Sequence, residues 1–361
     1  MEAKAAVLRG SGSPLEVKTV TVDDPGPGQV RVKLAACGLC HTDLSVMQSV
    51  LPQTNAMVLG HEGAGVVESV GEGVTTLEPG DHVVMTTTAF CGRCPLCVEG
   101  MYAQCERMPL NMGGNFPYHV DGLDLMPFAS IGGLCEYTVV AEHTAIKIDK
   151  DIPLVSASLL GCGVITGVGA AINTAEVRPG TSCAIWGCGG VGLSVLQGCR
   201  IAGASTMISI DMNPAKLEYA KNLGATHVID ASQENAVEQV MALTGGRGAD
   251  YTFEAIGVGS AMEEAYMAAR RGGTCTIVGV GRFDDTFALS AGLVAIMEKT
   301  IKGSFCGKGA SVRDFPRMIE WYRQGKLDLD SLVTTTYPIE DVAQAYEDME
   351  AGKNARGVVV F

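Results

Sequence analysis

From Lys4 to about Val84 the chain alternates apolar and polar residues in short runs. Val30-Arg31-Val32-Lys33-Leu34, Gly65-Val66-Val67-Glu68-Ser69-Val70 and Asp81-His82-Val83-Val84 are examples, separated by turns such as Pro25-Gly26-Pro27-Gly28 and Pro79-Gly80-Asp81. A two-residue period with Gly and Pro between runs predicts several short strands in a β-rich sandwich or small barrel. Cysteines crowd Cys91 to Cys105, a Gly/Met/Asn-rich loop is expected from Met108 to about Pro127, and strand texture returns at Glu136–Val140.

After about Ser156 the texture changes. Buried-strand runs are Cys183–Trp186, Met207–Ile210, His227–Ile229, Asp250–Glu254 and Thr274–Gly279. Helical stretches stand among them at Val191–Ala202, Pro214–Leu223, Asn235–Thr244 and Ser260–Ala269. Apolar strands alternating with helices specify an α/β architecture, a parallel sheet covered on both faces. The tail predicts a helix over Val312–Arg323, a strand over Thr334–Pro338, a helix over Asp341–Glu350 and a last strand over Gly357–Phe361.

Composition narrows the classes. At 361 residues the chain is long enough for two domains, and at 47% hydrophobic it is globular. The net charge of −14 repels a polyanion, so nucleic acid is not an expected partner. No run of 18 apolar residues appears and the charged N-terminus does not read as a signal peptide, so no membrane partner and a cytoplasmic location are expected. There 13 cysteines, an odd number, point to metal rather than disulfides.

Two motifs carry chemistry on spacing alone. Gly187-Cys188-Gly189-Gly190-Val191-Gly192 is G-x-G-x-x-G between a predicted strand and helix, and Asp211 ends the next strand. Glycines let backbone approach a pyrophosphate at a helix N-terminus, and the acid accepts from the ribose hydroxyls and repels a 2′-phosphate. This favours NAD over NADP, with Lys216 in the following helix able to flank the ribose. Cys91-x-x-Cys94-x-x-Cys97 with Cys105 places four thiolates within 15 residues. Zinc is favoured over an iron–sulfur cluster, whose bacterial run has a shorter last gap followed by Pro.

A third group is dispersed: Cys40-His41-Thr42-Asp43, Gly60-His61-Glu62 and Gly161-Cys162-Gly163. Taken singly, a Cys or His is as readily a packing residue as a ligand. Together with the cysteine lobe, the glycine turn and Asp211, these motifs resemble the zinc-dependent medium-chain alcohol dehydrogenase family over the whole chain. The resemblance implies a β-rich GroES-like catalytic domain, residues 1–163 with 306–361, and a Rossmann NAD-binding domain, residues 164–305. It implies two zinc ions: a catalytic one on Cys40, His61 and Cys162, and a structural one on Cys91, Cys94, Cys97 and Cys105. Glu62 and Asp43 become carboxylates behind the ligands, Thr42 the first proton-relay hydroxyl, and His41 and Arg356 cofactor phosphate contacts. Where the family continues the relay to a histidine, this chain has Ser45, so the proton is expected to leave through water.

Matching by motif offset, the resemblance places Leu51, Thr87, Phe128, Ala129, Val280 and Phe305 along the substrate channel, with Val280 also beside the cofactor. Cys105-Glu106-x-x-Pro109-Leu110-Asn111-Met112-Gly113-Gly114 looks most like the aryl- and allylic-alcohol (benzyl-alcohol) branch. The implied reaction is hydride exchange between a primary alcohol and NAD in a homodimer or homotetramer. A glutathione-adduct formaldehyde dehydrogenase and a nicotinoprotein that keeps its cofactor are the alternatives on this scaffold.

Overall fold

A computed structural model describes residues 1–108 and 116–361. Pro109–Gly114, which carry part of the resemblance to the benzyl-alcohol branch, lie outside the described residues. The chain divides into two units.

The first unit comprises Met1–Cys162, Ala310–Glu320 and Leu329–Phe361. The alternating runs form a closed barrel of Glu2–Leu8, Leu15–Val22, Tyr118–Val120, Leu123–Pro127 and Met57–Val58. A mixed sheet runs Ala145–Ile148, His82–Met85, Glu62–Val70, Gln29–Gly38, Arg356–Val360 and Val333–Pro338, with Tyr137–Ala141 also pairing Gln29–Gly38. The expected loop to Pro127 is corrected in its second half, which is a hairpin. Asp121 and Gly122 take φ of 53° and 75°, the left-handed pair of a tight hairpin turn that an Asp-Gly dipeptide favours.

Helix α1 (His41–Met47) follows the end of Gln29–Gly38 and buries Asp43, Leu44 and Val46. Leu44 and Val46 pack into an apolar cluster with Cys37, Leu39 and Phe128.

The second unit comprises Gly163–Gly309 and Trp321–Asp328. Its six parallel strands run in the order His227–Asp230, Thr206–Asp211, Ser182–Trp186, Ala249–Glu254, Ala269–Ile277, Thr300–Gly303. Helix α2 (Gly190–Ile201) opens directly from the glycine turn. The partition differs from the expected boundaries in three places. Gly163 opens a helix of this unit. Residues 306–309 join it because Gly307 nests on that helix: a Cβ there would fall 2.2 Å from the Ile165 carbonyl and 2.7 Å from Gly169 Cα. Trp321–Asp328 join because Gln197 exchanges hydrogen bonds with Asp328 at 2.7 and 3.0 Å, and Arg200 donates to the Lys326 carbonyl.

Among the described residues no single helix is long and apolar enough to cross a membrane.

Candidate metal centres and cofactor turn

In the first unit the lobe Cys91, Cys94, Cys97 and Cys105 gathers its four sulfurs within 4.8 Å of one another. Cys94 and Cys105 Sγ are 3.9 Å apart, close to the ~3.8 Å that a tetrahedron with 2.3 Å Zn–S bonds requires. That separation is far too long for a disulfide. Backbone N–H groups of Cys91 and Arg107 donate to Cys105 Sγ at 3.3 and 3.4 Å, the pattern expected around thiolates. The N–H of Arg93 helps lower Cys91 to about 6, while burial pushes Cys97 up to about 12. The lobe's apolar residues are few, Met108, Phe90, Leu96 and Tyr102 packing on the cysteines themselves. The donor set fits one structural zinc.

The dispersed motifs also converge. Cys40, His61, Glu62 and Cys162 bring ligand atoms within 4.8 Å of one another. Cys40 is the N-cap of α1, accepting from Thr42 N–H at 3.5 Å. His61 and Glu62 stand where Gly60, at φ 89°, leads into the strand Glu62–Val70. A Cβ at Gly60 would lie 2.5 Å from the Leu134 amide, so only glycine admits the close approach.

His61 Nδ1 lies 3.1 Å from Asp43 Oδ2, which leaves Nε2 for the cluster. Asp43 is itself fixed: its Oδ1 accepts from Gly60 N–H at 2.9 Å. A carboxylate behind a ligating imidazole fixes the tautomer. Burial opposes a charge on His61, but Asp43 and Cys40 outweigh it and hold the imidazole well above its ordinary range. Cys162 and His61 hold Cys40 well below the usual thiol range against the cost of burial. A buried pocket that stabilises a thiolate and favours positive charge beside it fits a cation, and the Cys₂His donor set fits catalytic zinc.

Glu62 is fully buried and pairs with Arg356, whose guanidinium also donates to the Leu39 carbonyl at 3.0 Å. Burial pushes Glu62 up to about 7 against the pull of Arg356. The reading of Arg356 as a phosphate contact omitted this partner: the side chain is 6% exposed and is the counter-charge of Glu62 at the metal pocket. Sequence reasoning had no signal for it, because the partners are 294 residues apart.

Thr42 Oγ1 lies 3.5 Å from Cys40 Sγ and is half-buried, while His41 is exposed. Phe128 meets His61 edge-on at 5.6 Å. Leu51 and Ala129 pack on the apolar cluster that holds Phe128, as do Met47 and Phe116. Thr87 is half-buried. Val280 and Phe305 belong to the second unit and are both exposed.

In that second unit the glycine turn is built as its spacing requires. Gly187 takes φ 96° and donates to the Ile210 carbonyl at 2.8 Å. Gly189 caps α2, and Gly190 and Val191 form its first turn, where N–H groups point out of the helix. A Cβ at Gly192 would lie 1.8 Å from the Gly187 carbonyl oxygen. Asp211 accepts from Cys188 N–H at 2.7 Å and from Asn213 N–H at 2.9 Å, so the acid both ends its strand and ties down the turn. Lys216 is half-buried in the helix Pro214–Asn222 that follows. A residue the motifs did not indicate, Glu254, lies buried beside the turn. Its carboxylate accepts from Ile256 and Gly257 N–H at 2.7 and 2.6 Å, and a Cβ at Gly187 would meet Ile256 at 2.8 Å. Its signal was only an acid ending a buried strand.

Comparison with known proteins bears directly on this arrangement. Residues 26–150 match the alcohol dehydrogenase GroES-like domain, and residues 190–324 match the zinc-binding dehydrogenase domain. An NDMA-dependent alcohol dehydrogenase from Amycolatopsis methanolica is 38% identical over 100% of this chain and 99% of its own. The chain belongs to the zinc-dependent medium-chain alcohol dehydrogenase family. Two solved structures share the dehydrogenase fold along its length. An alcohol dehydrogenase zinc-binding domain protein from Burkholderia ambifaria has TM-score 0.94 at 36% identity, covering 100% of this chain and 99% of that one. The benzyl alcohol dehydrogenase of Acinetobacter calcoaceticus has TM-score 0.93 at 32% identity with the same coverage. The enzyme is therefore an oxidoreductase that uses zinc and a dinucleotide on small-molecule alcohols.

Proposed function

We propose that this dehydrogenase oxidises primary aryl or allylic alcohols to aldehydes, reversibly, with NAD and two zinc ions per chain. The observation that carries the reading is the Cys40–His61–Cys162 cluster backed by Asp43. Zinc held there would supply Lewis-acid polarisation of the alcohol oxygen, and NAD at the glycine turn would supply the hydride acceptor. The remaining work falls to the chain. Cys40, His61 and Cys162 hold the cation, Asp43 fixes the imidazole, and Arg356 neutralises Glu62. The half-buried Thr42 hydroxyl, beside Cys40, relays the proton of the alcohol, accepting it as it gives up its own. Ser45 stands further along α1 without an imidazole, so the proton passes on to water.

Phe128, edge-on to His61, supports a flat, apolar substituent on the alcohol, as does the likeness to a benzyl alcohol dehydrogenase. The Asp211 carboxylate favours NAD by repelling a 2′-phosphate. A panel of alcohols tests the substrate: kcat/KM for benzyl, cinnamyl or geranyl alcohol no better than for ethanol refutes it. Metal analysis of the purified protein should find about two zinc ions per chain.

One finding favours a second reading on cofactor use. The Amycolatopsis relative is named NDMA-dependent, which suits a cofactor that stays bound and is reoxidised in place. Protein purified without added cofactor would then release NAD(H) on denaturation and turn over only with an external acceptor.

A second copy of the chain is the proposed partner. The helix Ala291–Met297 buries none of its residues, Phe283 and Ile296 are 86% and 69% exposed, and Thr300–Gly303 ends the sheet. An apolar face beside an open strand edge is covered in a stable protein. Light scattering should give a multimer, and Ile296→Glu should shift it toward monomer.

A further inference from the structure

Helix α3 (Val342–Glu350) carries a tyrosine in its apolar face. Tyr346 is 2% exposed and packs with Val342, Ala345 and Met349 into the cluster that also holds Leu44 and Val46 of α1. The two helices are tied at their ends as well, Gln48 Nε2 donating to Glu350 Oε1 at 2.8 Å. A phenylalanine would fill this position. The hydroxyl is therefore the feature that needs a reason, since an unpaired buried polar group costs about 1–3 kcal/mol.

Among the described residues the Tyr346 hydroxyl reaches no hydrogen-bond partner. Asp43, fully buried on α1, has the complementary surplus. Its Oδ1 serves Gly60, but apart from the His61 imidazole no donor reaches Oδ2. Burial pushes the phenol well above its ordinary range, and of the surrounding charges Asp43 weighs most, ahead of Cys37, Cys40 and Glu62. A buried donor and a buried acceptor with a spare lone pair therefore stand in one electrostatic neighbourhood, on two helices that pack into the same cluster. Buried polar groups that the chain itself leaves unpaired are commonly served by ordered water.

We infer that Tyr346 is a positioning residue of the metal pocket, its hydroxyl donating through one buried water to Asp43 Oδ2 and so restraining the carboxylate that orients His61. The inference rests on the function proposed above, since it takes Cys40, His61 and Cys162 as zinc ligands. It extends the set that fixes the imidazole by one residue from an element 300 positions away in sequence.

Tyr346→Phe tests it in the zinc-loaded full chain, because the ring and the packing are kept. The readout is zinc release to a chromogenic chelator, in which the four-cysteine site supplies an internal reference. Loss of a hydrogen-bond partner behind a ligand typically costs 10–100-fold in metal affinity, so a group one bond further out should raise release from the Cys40 site about three- to tenfold. Release from the four-cysteine site should not change. In an Asp43→Asn background, Tyr346→Phe should add nothing further. Cobalt-substituted protein gives a second measure, the Tyr346→Phe variant shifting the visible bands of the Cys40 site.

Unchanged release and an unchanged cobalt spectrum in Tyr346→Phe overturn the inference. So does an equal effect of Tyr346→Phe in the wild-type and Asp43→Asn backgrounds. A melting temperature raised by the substitution also overturns it, since that is the mark of an orphaned hydroxyl removed. Wild-type protein holding only the four-cysteine zinc would instead overturn the function proposed above, and zinc content reports that separately.

Discussion

Two glycines of one turn should fail for different reasons when each gains a methyl group. At Gly192 the new Cβ falls 1.8 Å from the Gly187 carbonyl oxygen and 2.9 Å from its carbon, all rigid backbone. A relaxed carbon–oxygen contact needs about 3.3 Å, so the turn and α2 must part by roughly 1.5 Å. That movement strains the Gly187–Ile210 and Cys188–Asp211 hydrogen bonds together. Overpacking of this kind costs about 1–3 kcal/mol, and at about 2–4 °C per kcal/mol the melting temperature should fall by about 2–12 °C. At Gly189 a Cβ meets nothing within 4 Å, and its φ of −77° suits alanine. The stability loss there should stay within about 1 kcal/mol, alanine being only the poorer N-cap. The methyl group instead occupies the side of the turn that a pyrophosphate must approach, so NADH affinity should fall at least about tenfold, or 1.4 kcal/mol. Thermal melting and NADH fluorescence titration of Gly189→Ala and Gly192→Ala separate the two. Wild-type melting of Gly192→Ala refutes the clash. Wild-type NADH binding by Gly189→Ala refutes the placement of the phosphates.

Asp211→Gly combined with Met212→Arg should raise the NADP/NAD preference by at least about tenfold in kcat/KM, while weakening NAD through loss of the Cys188 and Asn213 ties. Arg356→Met strands the buried Glu62 and should cost about 3–5 kcal/mol in urea unfolding, part of which Glu62→Gln recovers. The third concerns pH. His119 sits between Asp23 at 3.0 Å and Asp124 at 2.8 Å, and these two carboxylates raise it above the ordinary histidine value. Its contribution is therefore full below about pH 6.5 and disappears as pH rises through the raised value. His119→Gln should lower stability at pH 5.5 by at most about 1 kcal/mol, the site being exposed, and leave it unchanged at pH 9.

Local rules carried far in this chain. Asn213 and Asn235 cap their helices by accepting from Ala215 and Glu238 amides, so the expected helix starts lie within a residue of the observed ones. The parallel sheet followed from unbroken apolar runs, and the cysteine lobe from spacing within one loop. Cys40, His61 and Cys162 became a set only through resemblance, because their convergence depends on a sheet and two chain crossings. Arg356 and Tyr346 were illegible for a related reason. The resemblance makes the arginine a phosphate contact and a tyrosine on an apolar stripe reads as core, and both acquire this meaning only from partners about 300 residues earlier. The Asp121-Gly122 turn was legible but was hidden by the glycine-rich stretch before it.

The contact between Gly169 and Gly307 has a genetic consequence. A Cβ on Gly169 would fall 2.4 Å from the Gly307 carbonyl oxygen, and one on Gly307 would fall 2.7 Å from Gly169 Cα. When two side chains collide, a smaller neighbour can restore the fit, so such mutations acquire suppressors. Here main chain meets main chain, and neither residue has an atom left to remove. Substitutions at either position should therefore resist rescue by any single second change nearby. In a randomised library these two positions should stay glycine while the walls around them vary.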